Sequence, residues 1–135
     1  MNSKNPTHLQ IILAQVNPLV GDIPGNTALV INTTRNLLAD KPFDIVVFPE
    51  LVLTAYPPED LLLRASLDGR IDAALKQIMQ EKFDTHLVIG YPGKEDGRLY
   101  NMLCVIYRGE ILATYKKQCL PNYQVFDEKR YFDAG

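Results

Sequence analysis

The chain has 135 residues, 47% hydrophobic and 22% charged, a balance that suits one globular domain or part of one and excludes wholesale disorder. A formal net charge of −2, with Lys and Arg scattered, excludes the electrostatic footprint of a nucleic-acid or anionic-membrane binder. No run reaches the roughly 20 apolar residues of a membrane span, the polar start "MNSKNPT" has no signal-peptide core, and Cys104 and Cys119 form neither a disulfide framework nor a CxxC metal motif, so a reduced, cytoplasmic protein is expected.

The first element is "LQIILAQV", Leu9 to Val16, rich in β-branched residues and closed by Asn17-Pro18; it reads as a buried strand. "GDIPGN" breaks the chain and offers Asp22 or Asn26 as a helix cap. From Thr27 to Ala39, the residues Val30, Ile31, Thr34, Leu37 and Leu38 fall along one helical face. "DIVVFPE" is a second strand, and its unbroken apolar run predicts burial on both faces. A short helix is expected over Glu59 to Leu63 and a longer one from Ser66 to Lys82, with Leu67, Ile71, Ala74, Leu75, Ile78 and Met79 turned inward. "HLVIGYP", His86 to Pro92, is a third strand. "YNMLCVIYRGEILATYKK" then reads as two strands joined at Arg108-Gly109-Glu110. The order predicts an α/β fold with a mixed, mainly buried sheet, and too few helices to cover it: part of a larger domain.

Glu50 stands out at the carboxyl end of the second strand, where open α/β sheets place their ligands. Pro49 fixes the backbone before it. Leu51, Val52, Leu53 and Tyr56 would shield the carboxylate from water, which a general base near neutral pH needs. From its residues alone it is either such a base or a strand-end carboxylate that caps a neighbouring helix or faces solvent. Lys117 ends the last strand and is either an oxyanion-stabilising cation or a solvated edge lysine. Alternation turns Lys116 to the opposite face. Cys119, two residues beyond Lys117, is a nucleophile candidate weighed against an inert thiol; Cys104 belongs to the core. His8 and His86 have no second ligand at metal spacing, and no glycine loop of the dinucleotide or triphosphate type is present.

Three segments, "VVFPELVLTAYPPEDLLLR", "NMLCVIYRGEILATYKKQCLPNY" and "QVFDEKRYF", together with the opening "IILAQVNPLVGDIPGNT", resemble the nitrilase-type carbon–nitrogen hydrolase superfamily. Within it, the strings "TAYPPEDLLLR" and "LPNYQVFDEKRYF" resemble the glutaminase domains of glutamine-dependent NAD⁺ synthetases. The resemblance implies roughly the first half of an α-β-β-α sandwich, with residues 1–135 ending before the nucleophilic cysteine of a Glu-Lys-Cys triad and without a synthetase domain. By motif position, Glu50 matches the general base, Lys117 the catalytic lysine and Glu128 the family's second glutamate. Tyr56, Tyr123 and Phe126 match positions beside the substrate glutamine. The pattern like "ICEDxW" that carries the family's cysteine is absent, and Cys119 is not where the family places it.

The implied activity is hydrolysis of glutamine to supply ammonia for the ATP-dependent amidation of deamido-NAD⁺, with this chain alone inactive. No cofactor is expected here; ATP, magnesium and deamido-NAD⁺ belong to a synthetase domain that receives the ammonia in cis. A homo-oligomer is implied, with no nucleic acid and no membrane as partner. The alternatives are another amidase of the nitrilase branch and a non-catalytic half-domain that binds a partner through its open sheet.

Overall fold

The computed structural model describes residues 7–122 and 126–135. Five strands form one sheet in the order β1-β2-β3-β4-β5: β1 Ile11–Leu13, β2 Ile45–Val47, β3 His86–Glu95, β4 Arg98–Tyr107 and β5 Glu110–Lys116. The first three are parallel and joined by crossover helices, α1 Ile23–Asp40 and α2 Leu67–Gln80. The last three form an antiparallel meander, so the sheet is mixed as expected. Short 3₁₀ turns at Glu59–Leu63 and Glu128–Arg130 complete the elements. No helix of the described residues is long and apolar enough to cross a membrane.

Helix α1 begins four residues before the expected Thr27 because Asp22 supplies the cap, its carboxylate accepting from the Gly25 amide at 3.0 Å. Pro24, which has no amide to lose, fits the first turn. Asn26 is then free for another task. Buried within the helix, it bonds Leu19 through both amide atoms, and its Nδ2 donates to the Leu53 carbonyl at 3.1 Å. That bond ties α1 to the loop that follows β2. In α2 the inward residues are Leu67, Ile71, Ala74, Leu75 and Ile78, as their spacing predicts. Each large apolar side chain buried this way contributes about 1.5–3 kcal/mol. Val30 and Ile31 of α1 join them over Val46, Leu87, Ile89, Cys104 and Ile106 to form the core.

The helices cover one face of the sheet. The other face is open in this chain: Leu13 is 73% exposed, Ile11 and Tyr115 are each 52% exposed, and Val88, Leu103 and Val105 are half-buried. Two expectations change here. The first strand spans only three residues and alternates exposed and half-buried, because it lies at the sheet edge rather than inside it. In β2, Val46 is buried but Ile45 and Val47 are half-buried, so its second apolar face points to the open side. Gly109 closes the last hairpin with φ +82° after Arg108 at φ +48°, the left-handed pair that a two-residue turn between twisted strands requires. The third strand runs three residues beyond the expected Pro92, into a second tight turn at Asp96-Gly97.

Candidate active site

Glu50 is delivered by the end of β2. Phe48 still pairs with the sheet, its amide donating to the Val88 carbonyl at 3.2 Å, and Pro49 ends the pairing. The chain then turns at Leu51, whose φ of +51° is sparsely populated for a residue with a side chain. Leu51, Val52 and Leu53 turn inward and are fully buried. The sheet allows this turn to sit close because position 90 is glycine: a Cβ there would lie 2.6 Å from the Leu51 nitrogen.

The expected shielding of Glu50 by its sequence neighbours is therefore corrected. Those leucines and the valine fill the core, and the Glu50 side chain is 47% exposed at the mouth of a cleft. The walls of that cleft, about 310 Å³, come mainly from the open side of the sheet, among them Val47, Val88, Leu103 and Tyr115. They are apolar, but they come from four strands rather than from the residues after Glu50.

Lys117 follows β5, and its amide donates to the Asn101 carbonyl of β4 at 2.8 Å, one residue beyond the ladder. Its Nζ lies 2.7 Å from Oε1 of Glu50 and 3.1 Å from Oε1 of Glu128. Burial by itself lowers the lysine's proton affinity, but hydrogen bonds and charges from both glutamates overcome it, so Lys117 is held above its usual range and stays a cation. Lys116 turns away, as alternation predicts, to pair with Glu95 at 2.7 Å over the ring of Tyr100.

Glu128 sits in the final 3₁₀ turn and is 4% exposed. Its Oε1 accepts from the Tyr56 hydroxyl at 3.0 Å as well as from Lys117, and its Oε2 is buried with no hydrogen-bond partner among the described residues. Burial, then the Glu128 hydrogen bond and the charges of Glu128 and Glu50, raise the Tyr56 phenol well above its ordinary value. A buried carboxylate of this kind is tolerated because a cation and a phenol face it.

The structure thus brings together Glu50, Lys117, Glu128 and Tyr56, which the sequence spreads over 79 residues. Phe126 stands next to Tyr56, ring centroids 6.3 Å apart and tilted by 44°. Tyr123 lies outside the described residues. Cys104 is fully buried in β4, its thiol pushed up to about 12 by burial. Cys119 is exposed, and no described hydrogen bond links it to the cluster. One residue was missed: Asn101 is 4% exposed and its Nδ2 donates to Glu50 Oε1 at 2.6 Å. The available signal was an asparagine inside an apolar strand run, since a buried amide in a strand must find a partner.

A carboxylate, an ammonium and a second buried carboxylate at a strand-end cleft can together move a proton and stabilise a developing negative oxygen. The chain belongs to the carbon-nitrogen hydrolase family, whose pattern matches residues 11–135. More particularly, it is 43% identical over 129 residues to a glutamine-dependent NAD(+) synthetase from Aquifex aeolicus, covering 94% of this chain and 22% of that relative. It is also similar to the solved glutamine-dependent NAD⁺ synthetase of Acinetobacter baumannii, with TM-score 0.89 and 41% identity over 94% of this chain and 24% of that one. A nitrilase-superfamily amidase from Nesterenkonia AN1 superposes with TM-score 0.80 and 25% identity, over 95% of this chain and 48% of the amidase. The mixed sheet with its two helices corresponds to part of the nitrilase-type fold, and the chain spans less than a quarter of the synthetases' length.

Proposed function

We propose that these residues are the base and oxyanion side of a glutamine amidohydrolase that serves a glutamine-dependent NAD⁺ synthetase. The observation that carries the reading is Lys117 Nζ held between Glu50 and Glu128 in a chain that is 43% identical to such a synthetase. Glu50 takes the proton from a cysteine thiol, and the thiolate attacks the side-chain amide carbon of glutamine. Lys117 stabilises the negative oxygen of the tetrahedral intermediate. The C–N bond then breaks as Glu50 returns its proton to the departing ammonia, leaving a thioester. Glu50 next draws a proton from water, whose attack on the thioester carbon breaks the C–S bond and releases glutamate, and Glu50 returns that proton to the sulfur to restore the thiol.

The nucleophile in this scheme comes from the part of the relatives' length that this chain does not span. Cys104 is walled into the core, and Cys119 has no described bond to the cluster. Glu128 fixes Lys117 from behind. Tyr56, with Phe126 beside it, lines the substrate side, and Tyr123 is assigned there by motif position alone. ATP, magnesium and deamido-NAD⁺ would be bound by the synthetase part, to which the ammonia passes in cis; residues 1–135 contain no phosphate-binding glycine loop. A homo-oligomer and a cytoplasmic location are part of the same proposal.

The test is to supply the intact protein with glutamine and with a panel of small amides and to measure ammonia release. Glutamine as the preferred substrate supports the reading. Preference for another amide would move the chain to the amidase branch, which its likeness to the Nesterenkonia enzyme keeps in view.

A further inference from the structure

The carboxylate of Glu50 is bound asymmetrically. Its Oε1 accepts from Asn101 Nδ2 at 2.6 Å and from Lys117 Nζ at 2.7 Å. Both are short and charge-assisted, and together they fill the two lone-pair directions of that oxygen. Oε2 has no hydrogen-bond partner among the described residues, while 47% of the Glu50 side chain remains open to the cleft. The asparagine is oriented by chemistry, because only its NH₂ can face a carboxylate. Being 4% exposed in the middle of β4, it is also held in place by the sheet. Its main-chain carbonyl meanwhile accepts the Lys117 amide at 2.8 Å. A single residue therefore sets the positions of both the base and the cation.

We infer that Asn101 is a positioning residue that divides the work of Glu50, fixing Oε1 with Lys117 so that Oε2 alone carries the proton to and from the reacting atoms. The inference rests on the glutaminase reading of the site. A carboxylate held by one oxygen cannot rotate its second oxygen away from the cleft without breaking two short bonds, so the base is aimed before substrate arrives. The other charged or titratable groups around Glu50 are Lys117 after β5, Glu128 in the last 3₁₀ turn and Tyr56 in the loop after β2. None of them replaces the lost donor, because Lys117 is already bonded to the same oxygen and the other two are turned to each other.

The experiment is steady-state glutamine hydrolysis by the intact protein, comparing wild type with Asn101→Ala and the isosteric Asn101→Asp. The expected result in both variants is kcat lowered by about tenfold to a hundredfold with KM nearly unchanged, because substrate still binds while Oε2 is no longer aimed. Undiminished kcat in a folded variant, or a loss carried by KM instead, would overturn the inference and leave Asn101 as a structural residue only. Should Asn101→Ala fail to fold, Asn101→Asp, equal in size and shape, carries the same test. A wild-type protein that does not hydrolyse glutamine at all would overturn the functional reading instead, and the two failures are distinguishable.

Discussion

Lys117 Nζ lies 2.7 Å from Glu50 Oε1, although the two residues are 67 positions apart in the sequence. Two strands, β3 and β4, stand between those that carry them, and the contact is made past the strand ends: the chain after β2 lies against Gly90 of β3, and Lys117 bonds the Asn101 carbonyl of β4 beyond the end of β5. Glu128 then reaches the same ammonium from the final turn, so one cation serves two carboxylates of very different exposure.

Lys117→Met should abolish glutamine hydrolysis by a factor of about a hundred or more, the scale of losing an oxyanion donor. It should also destabilise the fold by roughly 1–3 kcal/mol, because Glu128 is left buried without its cation. Adding Glu128→Gln removes that stranded charge and should recover most of the stability but none of the activity. Thermal melts and ammonia release on the same samples separate the two effects.

The pH sense of this contact follows from the raised proton affinity of Lys117. Its contribution to stability is complete below the usual lysine value of about 10.4 and is lost only as pH rises through the raised one. Melting temperature should therefore show no loss from Lys117 between neutrality and about pH 10, and Lys117→Met should flatten the decline above it. A wild-type decline unchanged by the substitution would show that the cluster does not hold the lysine as described.

Tyr56→Phe removes the 3.0 Å hydrogen bond to Glu128 Oε1 and leaves a buried carboxylate with Lys117 as its one described partner. A cost of about 0.5–1.5 kcal/mol in stability is expected. If the ring also lines the substrate side, KM for glutamine should rise. A change in melting temperature with unaltered KM would confine Tyr56 to supporting Glu128.

Gly90→Ala tests the delivery of Glu50 rather than its chemistry. The added methyl would meet the Leu51 backbone nitrogen at 2.6 Å, and backbone on both sides cannot yield as a flexible side chain would. The turn after Glu50 must shift, at a cost of about 1–3 kcal/mol. Displacing the base by a fraction of an ångström should lower kcat by about tenfold to a hundredfold. Unchanged kinetics in a stable Gly90→Ala variant would contradict the close approach.

How far these features could be read beforehand depended on whether their cause was local. The inward face of α2 and the Arg108-Gly109 turn were legible because periodicity and turn chemistry act over a few residues. The 3₁₀ turn at Glu59–Leu63 fell where a short helix was expected. Motif position singles out Glu50, Lys117 and Glu128, and their side chains meet as a cluster. For α1 the sequence offers Asp22 and Asn26 alike as caps; Asp22 takes the role, so the helix starts before Thr27, and the Asn26 amide is spent on Leu19 and Leu53 in two other segments. The exposure of Leu13 could not be seen either, since an apolar run does not reveal whether its strand is central or at an edge. Asn101 carries the signal of an amide within an apolar strand run, but its partner, 51 residues away, is not legible from that run.

The open face makes a prediction of its own. A polypeptide of residues 1–135 produced alone exposes Leu13, Ile11 and Tyr115 beside half-buried Val88, Leu103 and Val105. Apolar area of this kind should drive self-association, and Leu13→Lys with Tyr115→Lys should reduce it in sedimentation. A compact, monodisperse wild-type polypeptide would favour a stand-alone module instead.

The most direct measurement is Glu50→Gln in the intact protein, assayed for NAD⁺ synthesis with glutamine and, separately, with ammonia. The substitution keeps the shape of the side chain and removes the base. Loss of glutamine-driven synthesis with ammonia-driven synthesis retained is the predicted result. Equal loss with both nitrogen donors, or undiminished use of glutamine, would contradict the assignment of Glu50 as the base of a glutaminase site.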